Sequence, residues 1–152
     1  MKKTWKEKLN DDKDMPKVVE LNEKLQDRWK AKTCAIAAPR EIDAIMKQVP
    51  KGKLITINQI REKIAEKHHA DIACPITTGI FARIAAEAAE EDRNEGVKEI
   101  TPYWRTLKAG GVINPKYPGG EQAQKQLLEA EGHEVHQKGK KFVVVDYEKA
   151  LI

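Results

Sequence analysis

At 152 residues the chain can build one cored domain and is too short for two ordinary ones. A formal charge of +4 and a pI near 9.0 permit an anionic partner such as nucleic acid, although 34% charged residues of both signs also suits a plain soluble surface. No apolar run approaches membrane-spanning length, and Met1-Lys2-Lys3-Thr4-Trp5 leads into charge; Cys34 and Cys74 form no disulfide framework. A cytoplasmic protein in a reduced compartment, with no membrane partner, is therefore expected.

Up to about Lys32 the chain alternates lysines with acids. After Pro16, which suits a first helical turn, Val18, Leu21, Leu25 and Trp29 recur at three- and four-residue steps. An amphipathic helix is expected over residues 16–30, with its stripe docked on the main body. Cys34 to Ala38 is a short apolar run broken by Pro39. Ile42, Ile45, Met46 and Val49 then predict a helix over 39–48, which Pro50 and Gly52 terminate. After a short extended piece at Leu54-Ile55, Thr56 and Gln59 have capping-box spacing, and a helix is expected over 57–67.

His68 and His69 close that helix near its negative end. With Cys34 and Cys74 they make a zinc set on paper only, because the spacing matches no zinc motif; neither metal nor cofactor is expected. Cys74, before Pro75, reads as a small buried residue and not as a nucleophile.

The longest helix is expected over 75–93. Ile80, Phe81, Ile84, Ala85, Ala88 and Ala89 fall on one stripe, and Thr78, Gly79, Ala82, Arg83 and Ala86 form a small-residue face with one cation. A neighbouring helix or a DNA groove could use that face. Capping box, helix, loop and second helix suggest a helix-turn-helix unit. Glu87, Glu90, Glu91, Asp92 and Glu95 make the far end acidic, so only the N-terminal half suits phosphates.

Next comes the least generic stretch, Thr101-Pro102-Tyr103-Trp104-Arg105-Thr106-Leu107, followed by Gly110-Gly111, Asn114-Pro115 and Tyr117-Pro118-Gly119-Gly120. Two aromatics and an arginine between proline and glycines read as a pocket wall. A helix is expected over 121–131, ended by Gly132, and then a β-hairpin with a turn at Lys138-Gly139. The hairpin either serves as a wing, with Lys138, Lys140 and Lys141 near phosphates, or covers an edge of the core.

Several of these motifs recur together in one family. Val49-Pro50-Lys51-Gly52-Lys53-Leu54-Ile55-Thr56, Gln59-Ile60, Pro102-x-x-Arg105, Gly111, Tyr117-x-Gly119-Gly120 and Leu127-Leu128-Glu129-Ala130-Glu131-Gly132 stand in the family's order. From about Ile42 to Gly132 the chain resembles the DNA-binding, active-site domain of O6-alkylguanine-DNA alkyltransferases and the related alkyltransferase-like proteins. Several residues look inserted between Arg93 and Pro102. The resemblance implies a mainly α fold with a small β-hairpin, a winged helix-turn-helix domain of the alkyltransferase C-terminal type over 39–152, preceded by an arm over 1–38. It also implies that the second helix lies in the minor groove and that the damaged guanine is flipped into a pocket.

Repair-active members line that pocket with Pro-Cys-His-Arg, in which histidine, water and glutamate keep the cysteine a thiolate. Here Tyr103 stands at the cysteine position and Trp104 at the histidine position, while Arg105 and the relay glutamate position, Glu131, remain. A phenol with an ordinary pKa of about 10 is a poor alkyl acceptor, and an indole has no proton-accepting nitrogen. Alkyl transfer is therefore not expected, nor any catalytic residue. The alkyltransferase-like group, which carries an aromatic residue at the cysteine position and flags alkylated DNA for excision repair, is nearest in kind. The family's arginine finger aligns with Gly79, with Arg83 one turn later, and its phosphate-rotating tyrosine aligns with Ile57.

The expectation is a DNA-binding protein that takes double-stranded, alkylated or plain DNA without methyl transfer, with room for a repair-protein partner. The expected pocket is Tyr103, Trp104, Arg105, Tyr117, Gly119, Gly120 and Glu131, unless Tyr103 and Trp104 fill it as core. The expected DNA contacts are Thr56, Asn58, Gln59, Thr78, Gly79, Ala82, Arg83, Lys138, Lys140 and Lys141. The alternative is a small-molecule or nucleobase-binding module that kept the scaffold without a DNA role.

Overall fold

The computed structural model describes residues 4–152. Met1, Lys2 and Lys3 of the expected arm lie outside the described residues. Thr4 opens the first element: its hydroxyl accepts the Glu7 amide N–H at 3.1 Å and caps helix α1, Trp5–Leu9. This short helix cannot stand alone, and it packs on the long helix described below.

The helix expected over 16–30 is a strand followed by a shorter helix. Strand β1, Lys17–Glu20, pairs antiparallel with β2, Thr33–Ile36, and α2 covers only Glu23–Trp29. Val18-Val19 is β-branched and alternates in exposure, and Asn22 restarts the chain by accepting the Leu25 amide N–H at 2.9 Å. The three-residue spacing from Val18 to Leu21 thus arose across a strand end. Leu21, with Leu25 and Trp29 beside it, does dock inward, onto Ala31, Cys34 and Cys74.

Helix α3, Pro39–Lys47, starts with proline in its first turn, and Glu41 reaches back to the Ala38 amide N–H at 3.0 Å. Strand β3, Ile55–Thr56, leads directly into α4, Ile57–Lys67, and both halves of the Thr56–Gln59 capping box form, at 3.2 and 3.0 Å. A short strand, β4, Ile72–Ala73, lies parallel to β2 and completes a sheet ordered β1-β2-β4. The N-terminal segment is thereby tied to the body through β2 and α1.

Helix α5, Pro75–Asn94, is the spine. Its inner face is made of small residues: Thr78, Ala82, Ala85, Ala86, Ala88 and Ala89 are buried, while Ile76 and Ile80 stand 62% and 51% exposed. Ala85, Ala88 and Ala89 of the expected apolar stripe are thus inside and Phe81 packs against the core, but Ile80 turns outward, and Thr78, Ala82 and Ala86 of the small-residue face turn inward. Alanines let α5 approach α3 and α4 closely enough for Ile42, Met46, Ile60 and Ile64 to fill the gap, and a bulky Ile80 has no room there. Thr78 and Ala82, expected to contact DNA, face this core; the Thr78 hydroxyl donates to the Cys74 carbonyl at 2.7 Å.

Strand β5, Thr106–Leu107, pairs parallel with β3, and α6 runs Gly120–Ala130. The hairpin forms as expected from β6, Val135–Lys138, and β7, Lys141–Val144, and a last turn, α7, spans Tyr147–Ala150. Val135 and Val144 bury themselves with Leu54, Leu107, Ile113 and Leu128 in a second cluster, so the hairpin closes one side of the core. Among the described residues no helix is long and apolar enough to cross a membrane.

Candidate nucleic-acid interface

The motif stretch folds as a 3-10 turn, Tyr103–Arg105, between Pro102 and β5. The turn places alternate side chains on different sides. Tyr103 points into the main core, 1% exposed, and Arg105 points the other way toward the end of α6. Tyr103 meets the Trp104 and Tyr117 rings edge to face, with centroids 5.3 and 5.7 Å apart and both pairs at 81°. Its hydroxyl donates to Glu90 at 3.1 Å. Burial, and then the neighbouring Glu90 carboxylate, push the phenol above its ordinary range.

Arg105 and Glu131 form a paired ion fork, with Nε and Nη2 donating to the carboxylate at 2.9 and 2.7 Å and side chains only 13% and 7% exposed. The remaining arginine nitrogen donates to the Val49 carbonyl at 2.6 Å, and the Trp104 indole N–H donates to Glu131 at 2.9 Å. Burial alone would raise the Glu131 carboxyl. The Arg105 and Trp104 hydrogen bonds and the Arg105 charge outweigh it and hold the group below the usual carboxylate range.

Gln124 is a residue that pattern reading passed over. Fully buried, it accepts the Asn114 amide N–H at 2.9 Å and donates to the Trp104 carbonyl at 3.1 Å, so α6 fixes both ends of the motif loop. The signal available was its place one helical turn before Leu128, which puts a glutamine at an inward position of α6.

Of the seven expected pocket residues, Tyr103, Trp104, Arg105 and Gly119 border cavities, and these are two separate spaces; Tyr117, Gly120 and Glu131 border neither. Trp104 and Arg105 border an open space of about 530 Å³ together with Lys47, Lys98 and Ile100. Tyr103 and Gly119 border another of about 270 Å³ with Glu90 and Arg93. Tyr117 is buried beside Tyr103, and Gly119 and Gly120, both at positive φ (80° and 72°), make the sharp entry into α6.

A different surface is open and charged. The outward face of α5 presents Ile76, Gly79, Ile80 and Arg83, which are three and four residues apart. With Trp5 and Lys8 of α1 and with Lys108, Asn114 and Lys116 of the motif loop, it encloses a cleft of about 450 Å³. Among the described residues four cations and no carboxylate line it. Among the described residues none of these four cations forms an ion pair, although Glu87, one turn along, feels the Arg83 charge. Trp5, Lys8, Lys108 and Lys116 were not expected here: α1 is too short to be recognised by periodicity, and the two loop lysines reach this face only through the fold of the motif loop.

Gly79 and Arg83 thus lie on this open face. Thr56 is buried and spent, with Gln59, on capping α4; the Gln59 side-chain amide donates to the Ile152 carbonyl at 2.9 Å, and Asn58 is exposed. Lys138, Lys140 and Lys141 are exposed at the hairpin tip. Cys74 sits at the start of α5 in a cluster apart from Tyr103. Among the described residues no group of three His, Cys, Asp or Glu side chains is placed to hold a metal ion.

Among the described residues the chain is a mainly helical body with three small sheets, in which a capped helix leads through a short turn into a long spine helix, and in fold it is similar to solved alkyltransferase-like proteins. Solved structures with a similar fold include S. pombe Atl1 in complex with damaged DNA containing O6-carboxymethylguanine, at a TM-score of 0.53, and S. pombe ATL in complex with DNA, at 0.55. In each case the identity is 18%, and the match covers 75% of this chain and 93% of the other. No protein-family model and no curated protein sequence matches the chain.

Proposed function

We propose that this protein binds double-stranded DNA through the outer face of α5, acting as a winged helix-turn-helix binder of the alkyltransferase-like kind that transfers no alkyl group. The observation that carries the reading is the cleft in which Arg83, Lys8, Lys108 and Lys116 gather around two exposed isoleucines without a carboxylate. Cations serve the phosphate backbone, and exposed aliphatic side chains suit contact with base edges or insertion at a base step. The two S. pombe proteins of the same fold, both held on DNA, support this direction.

The absence of transfer follows from chemistry. At the acceptor position Tyr103 has a buried phenol pushed above its ordinary pKa, so its nucleophilic anion is scarcer than in water. At the base position Trp104 donates to Glu131 and has no nitrogen with which to take a proton. An intact-mass measurement after incubation with O6-methylguanine DNA is expected to show no added methyl group.

The direct test is fluorescence anisotropy with matched duplexes, with and without one O6-methylguanine, across a salt series. Binding that weakens with salt, and an Arg83→Ala variant whose salt slope is shallower by about one, are expected. Tighter binding to the lesion, lost in Trp104→Ala, assigns base reading to the motif turn; equal affinity for both duplexes makes the protein indifferent to the lesion. A second reading, a nucleobase or small-molecule module, is favoured by Gly79 standing where the family carries its arginine finger. No duplex affinity at low salt, together with a nucleobase-induced rise in melting temperature, would select it.

A further inference from the structure

We propose that the N-terminal helix α1 is a working wall of the DNA interface, with Trp5 positioning Arg83 and Lys8 adding a phosphate contact. This rests on the duplex-binding reading above. The motifs that carry the family resemblance begin near Ile42, so nothing in them accounts for α1.

Its docking is specific. At the start of α1 the Trp5 and Lys6 backbone N–H groups donate to the two Glu91 carboxylate oxygens at 3.1 and 2.8 Å, and Lys6 Nζ lies 2.8 Å from Asp92. A helix start has orphan N–H donors and a partial positive charge, so a carboxylate there is stabilising. Two acids of α5 that would repel phosphates are thereby engaged in holding α1.

Docking sets Trp5 beside Arg83. Lys8 Nζ lies 4.2 Å from the ring centroid and the Arg83 guanidinium carbon lies 5.6 Å from it, so both cations use the indole. An exposed arginine otherwise samples many rotamers, and a ring contact that restricts them lowers the entropy lost on binding. Four cations gathered around one cleft with no carboxylate in its lining repel one another. Charge complementarity therefore names a polyanion as occupant, and on the reading above that polyanion is a duplex.

The test uses the full chain and an unmodified duplex in anisotropy across salt, with thermal melts alongside. Trp5→Ala is expected to weaken binding by about 2- to 13-fold, the factor that immobilising one freed side chain costs. Trp5→Phe, which keeps an aromatic face, is expected to restore most of it. Combined with Arg83→Ala, the Trp5→Ala change is expected to add little, a coupling that a merely structural tryptophan would not show. Lys8→Ala, on the surface of α1, keeps the test alive if Trp5→Ala fails to fold; its salt slope should be shallower by about one. Trp5→Ala and Lys8→Ala variants that bind as tightly as wild type, or more tightly, overturn the proposal while leaving duplex binding intact. A wild-type protein without duplex affinity sinks the duplex reading and this inference with it.

Discussion

Two regions of this protein carry arginines beside a tryptophan, and they are built in opposite ways. Around Arg105 and Trp104 the guanidinium, the Glu131 carboxylate and the indole N–H satisfy one another behind low exposure, and only the neighbouring Thr106 hydroxyl and His133 Nε2 are left without a hydrogen-bond partner among the described residues. Around Arg83 and Trp5 the cations face an open cleft with no carboxylate in its lining. A closed set of paired groups holds a structure together, whereas unpaired charge on an open face is available to a ligand. The difference teaches that the motif turn is built chiefly as a structural tie, and that the charge left open to a ligand lies on the outer face of α5.

Breaking the inner set should have the largest effect and should fall on stability alone. Arg105→Ala strands Glu131 among buried neighbours, and loss of one partner of a buried pair costs about 3–5 kcal/mol. Urea unfolding should register that loss, while duplex affinity measured well below the melting temperature stays within about twofold, the scale of small indirect effects. A stable Arg105→Ala protein with lost affinity would erase the distinction between the two regions.

Acid should open the same set more gently. Because the Glu131 carboxyl is held below its ordinary value of 4.5, the folded state binds this proton less readily than the unfolded chain does. Its stabilising contribution is complete above that pH and is lost as the pH falls through the depressed folded value. Glu131→Gln, already uncharged, should show a shallower acid limb in pH-dependent thermal melts. Still smaller is Tyr103→Phe, which removes the hydroxyl donated to Glu90 and leaves the ring packing; about 1 kcal/mol is expected in the same unfolding measurement.

How much of this was legible depended on the range of the forces involved. Helices α3, α4 and α6 declared themselves through local chemistry: Pro39 at a first turn, the Thr56–Gln59 box and Gly132 past a helix end. The β1 strand did not, because its partner β2 lies across an intervening helix, and pairing energy between distant segments leaves no periodic mark on either. On α5 the apolar count favoured Ile80 inside, but helix approach distance decided for alanine, a choice visible only once α3 and α4 are in place. The candidate site divided likewise. Gly79 and Arg83 were picked out for the open face, whereas Trp5 and Lys8 arrive there by docking from the far end of the chain.

Gly79 carries the smallest and most discriminating expectation. It lies within a 20-residue helix, where glycine costs roughly 0.5–1 kcal/mol relative to alanine through backbone entropy. A Cβ built there meets nothing within 4 Å, and the residue has an ordinary helical φ, so neither packing nor backbone geometry of the free protein demands glycine. Gly79→Ala should therefore stabilise the fold by about that amount in urea unfolding. If the outer face of α5 receives a duplex, however, the added methyl stands between Ile76, Ile80 and Arg83, where the nucleic acid must approach the helix backbone. The same variant should then bind DNA more weakly although it is more stable. Opposite signs in the two measurements are hard to produce by any indirect route, since a stabilised helix does not by itself lose affinity. Gain in both, or unchanged affinity, would mean that the duplex does not come close at Gly79 and that the cations of the cleft hold it further out.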